Sequence, residues 1–178
     1  SEHTNFELLA LSHKDLDISN RSSTLNVVHE YKPNVVFNGA AMTNVDLCES
    51  EKEKAFAINA LGVRNLVAAC ADVDAQLIHL STDFVFDGDK KAPYTEFDIP
   101  NPQSIYALSK LGGDTEALRY KKATVLRVAW VFGKTGQDFF SWVLNGVKDN
   151  SIKSLISDAI SSPTYSKDIA VVAQEIIK

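Results

Sequence analysis

The run LIHLSTDFVF, Leu77–Phe86, sets how the rest of the chain is read. Its apolar first half favours a strand, and it leads into Ser81, Thr82 and Asp83, two hydroxyls and a carboxylate placed where a strand gives way to a loop. Three further runs share its character: FELLAL at 6–11, NVVFN at 34–38 and TVLRVAWVF at 124–132. Between them, Ser19–Tyr31, Glu49–Ala71 and Ile105–Tyr120 place apolar residues three or four apart, the spacing of a helix. Strands alternating with helices form βαβ units and a parallel sheet with helices on both faces. With right-handed crossovers, the expected fold is α/β, a Rossmann-like doubly wound sheet.

In such sheets ligands bind outside the carboxyl ends of the strands. The residues that matter are therefore SHKDLDIS (12–19), NGAAMTN (38–44), STDFVFDG (81–88) and AWVFGKTG (129–136). The glycines, at 39, 62, 88, 112, 113, 133, 136 and 146, contain neither G-x-G-x-x-G nor G-x-x-G-x-x-G. The fold is accordingly expected to lack its first strand and glycine-rich phosphate loop, with roughly 20 to 25 natural residues preceding Ser1. A polypeptide of these residues alone is then expected to bind dinucleotide poorly. Residues 1–135 read as a partial dinucleotide-binding domain, and 136–178 as a helical segment that begins a smaller substrate-binding lobe.

The net charge of −5 is spread over interspersed acids and bases, with no basic run that tracks phosphates, so nucleic acid is not an expected partner. No stretch reads as an apolar membrane span and the first residues lack the order of a secretory signal, which points to a cytoplasmic protein without a membrane partner. Cys48 and Cys70 stand far from any Cys-x-x-Cys spacing and read as reduced and structural. His3, His13, His29 and His79 are scattered, so no metal is expected, and His79 reads as a core residue.

Chemistry concentrates in SIYALSKLGGDTEA, 104–117. Tyr106 and Lys110 stand at i and i+4, on one face of a helix. An ammonium beside a phenol stabilises the phenolate, so the tyrosine pKa is expected to fall from about 10 toward working pH, making Tyr106 a proton donor. Thr82, at the end of a parallel strand, offers a hydroxyl to the same crevice, where it can hydrogen-bond the substrate oxygen that Tyr106 protonates. Gly112 and Gly113 interrupt the helix, where a glycine costs about 1 kcal/mol of propensity.

STDFVFDG, YTEFDIPNPQSIYALSKLGGDTEA, LRVAWVFG and ISSPTYSKDIA occur in this order, preceded by LDIS and by NGAAMTNVDLCESE with AINALGVRNL. Together, over nearly the whole chain, they resemble the extended short-chain dehydrogenase/reductase family, specifically its dTDP-4-dehydrorhamnose reductase branch. The resemblance implies a catalytic set of Thr82, Tyr106 and Lys110, with Lys110 also holding the nicotinamide ribose. It places Asp83 and Trp130, with Thr82, against a sugar substrate. It assigns Asp17 and Ile18 to the adenine, Ala40, Ala41, Met42 and Thr43 to the loop that passes the cofactor, and Asn59 to the vicinity of the cofactor ribose.

The implied reaction is NAD(P)H-dependent reduction of the C4 keto group of a nucleotide-linked deoxysugar, with no metal. After the first strand SHKD has no acid at the position that would hold the two ribose hydroxyls of NAD, and sets His13 and Lys14 near a 2′-phosphate, so NADPH is somewhat favoured over NADH. Asp83 is followed by Phe84 rather than a second acid, which argues against a dehydratase. A nucleotide-sugar epimerase and a non-catalytic regulatory subunit of the methionine adenosyltransferase type remain the alternatives. A homodimer is among the assemblies the resemblance allows.

Overall fold

Asn20, Asn44, Ser104 and Asp138 each precede a helix and accept a backbone N–H from its first turn, at Ser23, Leu47, Ala107 and Ser141. These caps set where the helices begin. The computed structural model describes residues 6–134, 138–152, 154–155, 157–158 and 160–177. In chain order they form α1 (Arg21–Tyr31), β1 (Val35–Asn38), α2 (Val45–Ser50), α3 (Lys52–Phe56), α4 (Gly62–Val73), β2 (Gln76–Thr82), α5 (Ile105–Ala117), β3 (Ala123–Val128), α6 (Phe139–Lys148) and α7 (Ser166–Ile177). A π-helical turn, Ala57–Leu61, joins α3 to α4, and a single 3-10 turn, Asp83–Val85, follows β2.

The strands make one parallel sheet in the order β1-β2-β3, with His79 of the central strand level with Asn38 and Val125. Right-handed crossovers between consecutive neighbours put α4 and α5 on the same face. There α1 packs on α4, and α5 packs on both α4 and β2. Leu77 and Ile78 point to opposite faces of β2 and both are 0% exposed, so the central strand is covered on both sides. The core joins Ile18, Val63, Leu66, Cys70, Leu77 and Ala117, drawn from the loop before α1, from α4, β2 and α5.

Several expectations need correcting. The described sheet has three strands rather than four, because residues 6–11 form no ladder and are exposed throughout, Leu8 at 85%. Apolar character alone does not make a strand; it needs a hydrogen-bonded neighbour. The strand expected over 77–86 ends at Thr82, and the one expected over 124–132 ends at Val128, before Trp130 turns left-handed at φ 45°. The helix expected over Glu49–Ala71 is split at Glu51 and bulged at Ala57–Leu61. The run Lys52–Val73 is, by length and composition, long and apolar enough to cross a membrane, contrary to the sequence reading. Its apolar residues are instead committed to the core, since Ala55, Val63, Leu66 and Ala69 are buried and α1 and α5 pack along it. The expected boundary between residues 135 and 136 falls outside the described residues.

The glycine pair of α5 is explained by the π turn. A Cβ on Gly113 would overlap the backbone oxygen of Asn59 and press on Val63 Cγ2 at 3.1 Å and His79 Nε2 at 3.2 Å. One on Gly112 would meet Ala60 Cβ at 3.0 Å. Both glycines therefore let α5 lie directly against the bulge, at helix–backbone range.

Candidate active site

The carboxyl ends of the strands converge as the fold type requires. Thr43 and Val45 follow β1, Thr82, Asp83 and Phe84 come from the end of β2, Trp130 follows β3 and Tyr106 comes from the first turn of α5, and together they line a cleft of about 200 Å³. A wider hollow of about 460 Å³ at Ser50–Lys54 is the outside of the α2–α3 bend and contains none of the residues singled out for chemistry.

Tyr106 is held by the start of its helix. Ser104 Oγ accepts from Ala107 N at 3.2 Å, Glu49 Oε1 accepts from Ile105 N at 2.8 Å, and the Phe84 ring meets the phenol edge to face at 5.9 Å. Thr82 Oγ1 accepts from Phe84 N and donates to Asp83 Oδ1, both at 3.2 Å. Burial pushes the Tyr106 pKa above the ordinary phenol value; the Thr82 hydrogen bond opposes this, while Asp83 and Cys48 add to it.

The expected fall in that pKa does not occur, because the ammonium is aimed elsewhere. Lys110 is 3% exposed, one turn below the cleft, and its Nζ donates to Leu80 O at 2.6 Å. Burial pulls the amine down to about 8, against the charge of Asp114. Thr82 and Tyr106 thus share the cleft, whereas Lys110 lies buried beneath it and is not part of its lining. A phenol of this kind keeps its proton at neutral pH and can give it up.

The loop after β1 is fixed by two asparagines. Asn38 Oδ1 accepts from Ala40 N at 3.0 Å. Asn59, 0% exposed within the π turn, accepts from Met42 N at 2.8 Å and donates to Met42 O at 3.0 Å and to Ser109 Oγ at 2.9 Å. Its polar capacity is spent holding the loop rather than facing a ligand. Ala40 and Thr43 are exposed, Ala41 is half-buried and Met42 is buried. Asp17 is exposed and closes a turn onto Ser19, accepting from its N at 2.9 Å and its Oγ at 2.7 Å. Ile18 lies beneath, its side chain filling the space that Gly62 leaves open.

At the edge of the cleft, Ser161 Oγ donates to Asp83 Oδ2 at 3.1 Å, tying the SSPTY segment to the end of β2. Trp130, at φ 45°, adopts a backbone conformation that costs a bulky residue about 1–3 kcal/mol. It is held there by Thr164, whose N donates to Ala129 O at 2.9 Å and whose Oγ1 accepts from Ala129 N at 3.2 Å, and by the Phe139 ring at 4.2 Å. Sequence reasoning passed over Val45, Phe84, Glu49 and Ser161. Val45 and Phe84 adjoin motif residues and were within reach of the strand-end rule. Glu49 and Ser161 act through contacts 56 and 78 residues apart, which no local pattern reveals.

A parallel α/β layer whose strand ends gather a threonine, a tyrosine with its i+4 lysine, and a small-residue loop defines the short-chain dehydrogenase/reductase class. The chain belongs, within that class, to the family described as the RmlD substrate binding domain, which matches residues 1–178. It is 39% identical over 172 residues to a dTDP-4-dehydrorhamnose reductase of Aggregatibacter actinomycetemcomitans, covering 96% of this chain and 58% of that protein. Among solved structures, a dTDP-4-dehydrorhamnose reductase ortholog of Clostridium acetobutylicum superimposes with a TM-score of 0.94 at 39% identity, over 99% of this chain and 63% of that one. The Bacillus anthracis dTDP-4-dehydrorhamnose reductase in complex with NADP gives 0.92 at 36% identity, over 97% and 62%. The chain therefore spans about three-fifths of the length of these relatives.

Proposed function

We propose that the protein carrying this chain reduces the C4 keto group of a dTDP-linked 4-keto-6-deoxy-hexose with NADPH, in the cytoplasm. The observation that supports this most is the pairing of the Thr82 hydroxyl with a half-buried, protonated Tyr106 in one cleft at the strand ends. The residues present fit a dinucleotide. The Ala40–Thr43 loop presents small or exposed residues on a backbone fixed by Asn38 and Asn59, and Lys110 Nζ spends one of its donors on Leu80 O, leaving others for a ribose hydroxyl. His13 and Lys14 are exposed beside Asp15, whose carboxylate is turned onto Ser12 at 2.6 and 2.8 Å, which favours a 2′-phosphate over free ribose hydroxyls.

When bound, the reduced nicotinamide supplies a hydride. Thr82 orients the keto oxygen and Tyr106 gives it a proton. Asp83, braced by Ser161, and Trp130, braced by Thr164, bound the sugar side of the cleft. The test is NADPH oxidation by the protein with dTDP-4-keto-6-deoxy-hexose, wild type against Tyr106→Phe. Turnover is expected to fall by about 10²–10⁴-fold, with NADPH affinity by fluorescence unchanged. Retained turnover in the variant removes the tyrosine from the reaction.

A further inference from the structure

Under the loop that follows β1 lies a buried imidazole that the proposed reaction does not use. His79, in the middle of the central strand, is 0% exposed, and its Nδ1 stands 3.0 Å from Asn38 Nδ2 at the end of β1. Asn38 is itself 4% exposed, and its Oδ1 accepts from Ala40 N at 3.0 Å. Gly39 and Ala40 are exposed, so an open stretch of backbone is held from beneath through two sealed side chains. On the other side of the ring, α5 lies so close that a Cβ on Gly113 would stand 3.2 Å from Nε2.

The proton positions follow from the exposed end. A backbone N–H only donates, so the Asn38 atom beside Ala40 N is the carbonyl oxygen, and the amide nitrogen is the one that faces His79. An amide nitrogen also only donates, so His79 Nδ1 accepts and the single proton of the neutral ring sits on Nε2. Nε2 faces Asp114 Oδ1 at 3.8 Å, beyond hydrogen-bond range but of the sign that favours a proton there, and Arg127 Nε donates to the other oxygen of that carboxylate at 3.1 Å. Burial, aided by the Lys110 charge, pulls the His79 pKa to about 3, so Nδ1 stays free to accept.

We propose that His79 is the positioning residue for the Gly39–Thr43 loop, its bare Nδ1 holding the Asn38 carboxamide in the one orientation that also fastens Ala40 N. Without an acceptor at Nδ1, the Asn38 amide would bury an unpaired donor or turn over, and turning over would set its Nδ2 against the Ala40 N–H. An apolar side chain would fill the same place in β2 without burying a polar ring, so what a histidine adds there is an acceptor. The far side of the loop is fastened separately, by Asn59 to Met42. The part this plays in the reaction rests on the reading of the loop as the one that passes the dinucleotide.

The test is amide hydrogen exchange of Ala40, measured against that of Met42 in the same chain, for wild type, His79→Asn and His79→Gln. An asparagine keeps an oxygen at the reach of Nδ1, whereas a glutamine keeps its polar atoms at the reach of Nε2, so the pair separates the Nδ1 contact from packing and from the side facing Asp114. In His79→Gln the exchange of Ala40 relative to Met42 is expected to rise about tenfold or more, and in His79→Asn by less than about threefold. A ratio in His79→Gln that stays within about threefold of wild type, or one that His79→Asn matches, overturns the proposal. Should either variant fail to fold, the nitrogen NMR shifts of the wild-type His79 ring decide instead: a bare Nδ1 and a protonated Nε2 are expected, and a proton on Nδ1 overturns the proposal. NADPH affinity of the protein carrying this chain, by fluorescence, tests the reading of the loop. A raised Ala40 ratio in His79→Gln with unchanged affinity leaves the positioning role standing and removes the loop from the cofactor. Weaker binding with an unmoved ratio overturns the positioning role.

Discussion

Helix propensity and the observed packing make opposite predictions for Gly113→Ala. By propensity alone, alanine in the middle of α5 stabilises by about 1 kcal/mol, and Gly112→Ala by the same amount. The new methyl at 113, however, would overlap the Asn59 carbonyl and stand 3.1 Å from Val63 Cγ2 and 3.2 Å from His79 Nε2, with ordinary carbon contacts at about 3.5–4.0 Å. The obstacle is backbone within a π turn, so α5 or the turn must shift by roughly 1 Å. Overpacking of this kind costs about 1–3 kcal/mol. Moving Asn59 also strains its bonds to Met42 and Ser109, each worth about 0.5–1.5 kcal/mol. After the propensity gain, a net loss of about 3 kcal/mol remains, roughly 6–12 °C in Tm for a domain of this size. At Gly112 the obstacle is the Ala60 methyl at 3.0 Å, and the change there is expected to stay within about 1 kcal/mol of zero. Urea unfolding of the two variants beside wild type decides the matter. Equal stabilisation by both would show that the bulge does not constrain the helix.

Acid should unfold the chain partly through His79. Its folded pKa of about 3 lies below the unfolded value of about 6.5, so its contribution is full above pH 6.5 and is lost as pH falls toward 3, about 2 kcal/mol of it by pH 5. Asp114, raised by burial, works in the opposite direction at lower pH, so the comparison is between wild type and His79→Gln: urea midpoints of the two should converge between pH 7 and 5, and parallel curves would refute the buried neutral ring. In the proposed reaction, Lys110 should lose its charge as pH rises through about 8 while Tyr106 remains protonated, so kcat/KM for keto-sugar reduction should decline above that pH. A profile flat to about pH 9.5 would remove the ammonium from the reaction.

The cleft was legible because it follows from position in the chain: in a parallel sheet the residues after each strand share an edge, and Thr43, Thr82 and Trp130 do. The roles within it were less so. The i, i+4 spacing put Tyr106 and Lys110 on one face of α5, but spacing carries no information about depth, and depth separates the half-buried phenol from a lysine bonded to Leu80 O. Asp114 completes the same spacing and was passed over because an acid near the end of a helix reads as a solvated residue until Arg127 and β2 are seen to enclose it. Residues 6–11 misled in the other direction, since apolar character predicts burial and says nothing of a hydrogen-bonding neighbour. The π turn has no sequence signal apart from the two glycines that face it, and those read as a helix defect until the Asn59 carbonyl is placed.

Charge at this site is governed by burial more than by partner contact, which decides the direction of chemistry it favours. A solvated Tyr–Lys pair would share a proton and suit abstraction as well as donation. Here burial raises the phenol and lowers the amine, so near neutral pH both groups hold their protons, and the cleft rests in the state that donates. That resting state suits reduction of a carbonyl, whereas an epimerase that oxidises and re-reduces a carbinol must also take a proton from the hydroxyl, and would need a base that neither group supplies in this form. The lysine has the smaller margin, with burial bringing its pKa to about 8, about one unit above neutral, and the charge of Asp114 opposing that fall. The α5 face that carries Tyr106 is thus set by close packing along its length: Gly112 and Gly113 admit the π turn, and Lys110 and Asp114 lie buried beneath the half-buried phenol.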